Sequence, residues 1–170
     1  MNQVTGDEIV SLLGVSESDD RMLDLFDKLG VNKDEFERDE DDGSFWIDLE
    51  EEMGLSFEFS NVIPEEYRNP QYIGGQYLVS ISMDYNFKPL PYNLLDTDDL
   101  DTIEKKLNRQ ANYILIDDNS SLVWLYEDLG DILIEFEDET WKSIVEIRCS
   151  IYIAPEMSDD FDEVLKPFKR

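Results

Sequence analysis

The chain has 170 residues, 42 Asp and Glu against 14 Lys and Arg, a formal net charge of −28 and no histidine. With 41% apolar and 12% aromatic residues it is too apolar for a disordered acidic tail, so the charge belongs to a folded surface that repels nucleic-acid and lipid phosphates. The missing histidine and the single cysteine, Cys149, exclude Ser-His-Asp, Cys-His, His-metal, thiolate-zinc and CxxC chemistry.

In chain order, Thr5-Gly6-Asp7-Glu8 reads as a capping box, opening a short helix that stops at Gly14. Ser18, Asp19 and Asp20 open a second helix with Met22, Leu23, Leu25, Phe26 and Leu29 on its apolar face and Gly30 at its end. "NKDEFERDEDDGS" follows, too charged to order itself by burial, and is expected to be a mobile loop. "FWIDLE" and "GLSFEFS" alternate and form a hairpin turned by "EEEMG". The connection "NVIPEEYRNPQYIGG" leads to a third strand, "QYLVSISMDYNF", which "KPLPYN" breaks.

The order then restarts. "DTDDLDTIEKKLN" is a helix with acids first and Lys105, Lys106 and Arg109 last, as the macrodipole favours. "YILID" is a short strand, "SLVWLYE" and "DILIEFED" a second hairpin, and "SIVEIRCSIYIA" a long strand. Pro155 stops it, and "FDEVLKPFKR" closes the chain as a short helix or tail. The hairpins beginning at Ser44 and Ser121 match in their apolar-Glu-Phe triplets, Phe57-Glu58-Phe59 and Ile134-Glu135-Phe136. The expected fold is α+β: antiparallel sheet, one or two adjoining, built from two similar helix–hairpin–strand units with helices packed against it. It forms one domain over 1–170, or two fused halves at about 1–90 and 91–170.

Cys149 lies in an alternating apolar run and reads as a buried small hydrophobe. Trp46, Trp124 and Trp141 are expected in strands near apolar neighbours, with core packing as their role. Tyr67, Tyr72, Tyr77, Tyr85 and Tyr92 crowd the long connection and third strand, as a binding surface would use them, with burial of about half of them as the alternative. No phosphate loop is present, since "YIGGQY" is a turn. "DEDDG" fails as a calcium loop because Gly43 falls fifth from Asp39 and Trp46 and Ile47 intrude. No catalytic, metal or cofactor residue is therefore assigned. The opening "MNQVTGDEIV" has no apolar signal core, and no run reaches the roughly 20 residues of a membrane span. A soluble cytoplasmic protein, monomeric when free, is expected.

What remains is a rigid acidic surface suited to a basic protein partner. "LLGVSESDDRMLDLFDKLG", "GLSFEF", "YLVSISMDYNFKPLPYNLLDTDDLDTIEKKLN" and "GDILIEFED…SIVEIRCSIYI" together form a layout. It resembles the bacterial immunity proteins of contact-dependent growth inhibition and related polymorphic toxin systems. Two departures stand out: the helix ending at Asn108 lacks the Leu-Gly stop, and "NRQANYI" has no proline. The resemblance implies a cytoplasmic antidote that binds one cognate basic toxin domain, often a nuclease, without catalysis of its own. The carboxylates expected to meet that partner are Asp39, Glu40, Asp41 and Asp42 in the loop and Asp96, Asp98, Asp99 and Asp101 at the helix start. The same charge would also suit a member of a generally acidic, salt-adapted proteome, a regulatory or DNA-mimic inhibitor of a nucleic-acid-binding protein, or a carboxylate-only metal-dependent enzyme.

Overall fold

A computed structural model describes residues 4–32, 36, 38–41, 43–63, 75–115, 120–126, 130–151 and 165–169. Thr5 caps α1 (Gly6–Val10), its hydroxyl accepting from the Glu8 N–H at 3.2 Å. The Glu8 carboxylate does not close the capping box. It pairs instead with Lys28 of α2 (Asp20–Leu29) at 2.9 Å, tying the two helices together. Asp19 caps α2, one residue later than Ser18, and Gly30 ends it in the left-handed conformation that glycine adopts without penalty.

The described residues hold eight strands: β1 (Phe45–Leu49), β2 (Leu55–Ser60), β3 (Tyr77–Asp84), β4 (Tyr113–Leu115), β5 (Ser121–Tyr126), β6 (Gly130–Phe136), β7 (Ile144–Ser150) and β8 (Leu165–Pro167). One helical turn, α3 (Glu50–Met53), forms the β1–β2 tip, and α4 (Leu100–Leu107) precedes β4. All strands join one antiparallel sheet in the order β1-β2-β3-β7-β6-β5-β4-β8. The fold is α+β, and the sheet is one rather than two. No described helix is long and apolar enough to cross a membrane.

Alternation along each strand separates two faces. The inner face carries Phe45, Ile47, Phe57, Ile81, Met83, Ile147, Cys149, Ile132, Ile134 and Trp124, all buried and in one core with residues of α1, α2 and α4. Its densest part is a ring column: Phe45 stacks on Phe59 at 4.6 Å and on Phe36 at 5.0 Å, and Phe26 of α2 leans on Phe59 at 5.9 Å. Each hairpin meets its third strand through an irregular register, at Glu58/Phe59 between β2 and β3 and at Glu135/Phe136 between β6 and β7. The first shift puts Leu78 in the same core cluster as Ile81 and Met83, which strict alternation would forbid.

Three expectations are corrected. The tail is not a helix at 165–167: Leu165, Lys166 and Pro167 pair with β4 as an edge strand, where proline costs no ladder bond. Trp46 is outside the core, 61% exposed, because Phe45 and Ile47 take the inner face and alternation sends the indole outward. Trp141 is in a turn at φ 51°, half-buried with its ring edge-on to Phe168, not in a strand. The missing Leu-Gly stop of α4 is supplied by Asn108 in the left-handed region at φ 52°. Pro155 lies outside the described residues.

Phe59 is fully buried and central to the ring column. Phe59→Ala is expected to cost about 3–5 kcal/mol in urea unfolding. A loss below about 1 kcal/mol, the range of peripheral substitutions, would show that the column lies outside the cooperative core.

Candidate functional site

The outer face of the sheet carries the polar residues, ordered by register into cross-strand rows. One row runs Trp46, Glu58, Ser80, Ser150, Asp131 across β1, β2, β3, β7 and β6. The next runs Asp48, Ser56, Ser82, Arg148, Leu133. A third sets Asp84, Glu146 and Glu135 directly opposite one another on β3, β7 and β6, like charges that the sheet must hold against repulsion. Toward β8 this face turns apolar, with Val123, Leu133 and Leu165 buried together.

Between the first two rows is a pocket of about 170 Å³ lined by Trp46, Ser56, Phe57, Glu58, Ser80, Ser82 and Arg148. Short serines on β2 and β3 leave the space, while the long side chains of Trp46, Glu58 and Arg148 wall it. The Ser80 and Ser150 hydroxyls share a hydrogen bond of 3.0 Å at its side. Burial raises the Glu58 carboxyl above its usual range, and the Arg148 charge opposes that shift. Among the described residues, no hydrogen bond or ion pair joins Glu58 to Arg148.

Asp131, half-buried in the same row as Glu58, is pushed up to about 6, first by burial, with Arg148 and the Ser150 hydroxyl opposing. Its Oδ1 is buried without a hydrogen-bond partner. Two strands separate Glu58 from Asp131, about 14 Å between backbones at the usual strand spacing, wider than the paired carboxylates of hydrolases. No group of three or more potential metal ligands is found among the described residues.

A larger pocket, about 340 Å³, lies against the inner face and is bordered by Val10, Leu13, Tyr92, Leu107, Tyr126 and Cys149, among others. Tyr92 sits there at φ 58°, its phenol shifted upward chiefly by burial. Cys149 is pushed up to about 12 by burial, which keeps it a protonated, unreactive thiol, in keeping with a small hydrophobe. Of the crowded tyrosines, Tyr77 is buried and Tyr85 is exposed, whereas Tyr67 and Tyr72 lie outside the described residues.

The two acidic clusters singled out in the sequence are not brought together. Asp39, Glu40 and Asp41 are exposed beside the start of β1, in a turn where the Asp39 carboxylate accepts from the Asp41 N–H at 2.8 Å. Asp42 lies outside the described residues. The other cluster lies at the opposite end of the strands, where the Asp96 carbonyl accepts from Ile144, the first residue of β7. Asp96 pairs with Lys88 at 2.9 Å, which holds its carboxyl below the usual range. Asp98 is buried, accepting from the Leu95 N–H at 2.8 Å and from Lys106 Nζ at 2.6 Å. Asp99 caps α4 through the Thr102 N–H at 2.9 Å, and Asp101 is exposed in its first turn. Asp98 and Asp99 thus hold the α4 start together. At the same end the exposed Glu50, Glu51 and Glu52 of α3, the Asp84–Glu146–Glu135 row and the exposed turn Glu137–Asp138–Glu139 form a carboxylate rim.

Sequence reasoning does not bring Trp46, Glu58, Arg148 and the serines together as a group. Alternation in "FWIDLE" is the available signal: it sends Trp46 and Asp48 to one face and Phe45 and Ile47 to the other. That β7 lies beside β3, which brings Arg148 across from Glu58, carries no such signal.

No family model matches the chain, and no curated protein matches it. A solved structure, an extracellular protein containing a SCP domain from Bacillus anthracis str. Ames, is similar at a TM-score of 0.51 and 14% identity, over 88% of this chain and 47% of that one. The chain therefore spans about half the length of that protein, and the likeness is one of fold alone.

Two outcomes test the electrostatic assignments. Because the folded state raises the Asp131 carboxyl, the folded chain favours its protonated form, and the stability this group contributes at acid pH is lost as pH rises through about 6. Asp131→Asn is expected to be more stable than the parent by about 1–2 kcal/mol at pH 7.5, with the gain vanishing near pH 4, in urea melts at both pH values. A gain independent of pH would dismiss the burial account. Asp98→Ala is expected to lose about 1–3 kcal/mol, since it leaves the Leu95 N–H unpaired and removes the carboxylate from Lys106, which keeps only the Asn93 carbonyl at 2.7 Å. Unchanged unfolding would return Asp98 to the surface set.

Proposed function

We propose that the chain is a stoichiometric protein inhibitor, an immunity protein that binds and neutralises a cognate basic bacterial toxin domain, a nuclease being the best-fitting class. The observation that carries this is the excess of carboxylates held outward on a stiff sheet, in a chain of net charge −28. Basic nucleases are positive where they bind phosphates, so a carboxylate-rich surface attracts and covers such sites while repelling nucleic acid and anionic membranes. Asp39, Glu40, Asp41 and Asp101 remain exposed for this role, joined by the rim from Glu50 to Glu52 and by Asp84, Glu146 and Glu135. The inhibitor acts in the cytoplasm as a monomer until it meets its partner, and it needs no cofactor.

The scaffold for that surface is a duplicated unit of helix, hairpin and third strand. Support comes from the irregular registers, which fall at the Glu-Phe step of each triplet, Glu58/Phe59 and Glu135/Phe136. The third strands β3 and β7 pair antiparallel at the centre of the six strands β1-β2-β3-β7-β6-β5, as two copies related by a local two-fold axis would.

The test is a kinetic titration against a basic toxin domain, taken from the reading frame neighbouring the chain's own where that frame encodes one. One-to-one inhibition is expected. Raising salt from about 50 mM to 500 mM shortens the screening length from about 14 Å to about 4 Å, so association slows steeply while dissociation changes less. Failure to bind and protect against that domain would end the proposal, and equal protection against unrelated basic nucleases would reduce it to charge masking.

A further inference from the structure

The pocket on the outer face has a shape and charge that specify its occupant more narrowly than a basic partner does. Its walls are an exposed indole, a carboxylate and a guanidinium, and its floor is hydroxyl. Trp46 is 61% exposed, between the buried Phe45 and Ile47 that face inward from the same strand. Glu58 is half-buried, and among the described residues its carboxylate makes no ion pair or hydrogen bond, although the Arg148 charge acts on it. A desolvated carboxylate without a partner costs stability that a charged donor would return.

The sign of the field decides which donor. Six carboxylates stand in the three outer rows, at Asp48, Glu58, Asp84, Asp131, Glu135 and Glu146, against the single cation Arg148. The excess favours a cation over a neutral or anionic group, with Arg148 itself flanked by Glu146 on its own strand. Shape then separates the two cationic side chains. A planar guanidinium stacks on an indole and offers five donors in one plane, whereas an ammonium is a compact point charge. Two Glu58 oxygens and the hydroxyls of Ser56 and Ser82 supply acceptors for that fork.

We propose that this pocket is the receptacle for an arginine side chain of the partner, stacked on Trp46 and hydrogen-bonded to Glu58, and that the outer sheet face around it is the docking surface. This rests on the inhibitor reading and narrows it: the carboxylate rim steers, and the Trp46–Glu58 pocket anchors. The arrangement is that of interface hot spots, in which a few aromatic and arginine contacts inside a polar surround carry most of the binding.

The experiment separates the pocket from the wider reading by using two probes. The first is Nα-acetyl-arginine N-methylamide titrated into the ¹⁵N-labelled full chain in 150 mM salt. Shifts are expected at the Trp46 indole and at Ser56, Ser80 and Ser82. The lysine analogue should bind several-fold more weakly, and Glu58→Gln and Trp46→Ala should each abolish the response while circular dichroism stays unchanged. Shifts spread evenly over Glu50–Glu52 and Asp39–Asp41, or variants that respond like the parent, would overturn the proposal. The second probe is the toxin domain used to test the inhibitor reading. Trp46→Ala is expected to weaken it about tenfold or more through faster dissociation, and Glu50→Gln/Glu51→Gln/Glu52→Gln to slow association instead. Tight binding unaffected by Trp46→Ala would sink the pocket and leave the inhibitor standing. No binding by the parent would sink the inhibitor, and the small-probe result would still decide the pocket.

Discussion

The pairing of β3 with β7 is the contact on which the rest of the molecule depends. It joins β1-β2-β3 to β7-β6-β5-β4-β8 through five register pairs, from Ser80↔Ser150 to Asp84↔Glu146. Separately, each part would expose an unpaired edge and one side of a hydrophobic face. Joined, Ile81 beside Cys149 and Met83 beside Ile147 make that face continuous, so that α1, α2 and α4 share one core. The same pairing sets Ser82 beside Arg148 on the opposite side. Core and outer pocket are therefore two faces of one register, and a slip by a single residue would exchange them.

A chain this acidic folds because many of its carboxylates have local work. Asp19 and Asp99 cap α2 and α4, Asp96 and Asp98 pair with lysines, and Asp138 closes a turn with Thr140. Hydrogen bonds hold Asp19, Asp99 and Asp138 below the usual carboxylate range, as Lys88 does for Asp96. Their contribution is present at neutral pH and lost as pH falls through those lowered values. Glu58 and Asp131 act in the opposite sense, since burial raises both, and their charged forms weaken the fold at neutral pH. The carboxylates that oppose folding are thus on the outer face, and those that favour it are at caps, turns and lysine pairs. Local conflict of that kind concentrates where a surface serves something other than stability.

Much of this is legible in the sequence, and the gaps have physical causes. The Thr5 cap, the Gly30 stop, the two hairpins and the third strands all rest on short-range rules of capping and alternation. The acids at the α4 start cannot be sorted in the same way. Asp98 and Asp101 look alike in sequence, yet one meets Lys106 and a backbone amide eight and three residues away while the other faces outward. The last strand escapes notice because Leu165–Pro167 is too short to show a period, and its partner β4 lies some fifty residues earlier. The pocket is hidden for a related reason: Glu58 and Arg148 become neighbours only through β3, and nothing within either segment foretells that order.

The serines of that pocket show what the sheet gives up to have it. Ser56, Ser80, Ser82 and Ser150 occupy outer-face positions of β2, β3 and β7, interior strands of the sheet, where β-branched or aromatic residues would pack better against their cross-strand neighbours. A Val or Ile at Ser80 or Ser82 would fill the space between Trp46, Glu58 and Arg148 and cover the indole. On the inner face the same strands carry Phe57, Ile81, Met83 and Ile147 as buried members of one core. Small hydroxyl residues on one side of three adjacent strands, ringed by the Trp46 indole and the charged ends of Glu58 and Arg148, keep a hole open where packing alone would close it. Their place at the β3–β7 seam also makes the hole rigid, since β2, β3 and β7 beneath it are each paired to a strand on both sides. A receptacle built there loses little conformational freedom when it is filled, which is the condition for a single side chain to anchor a partner tightly.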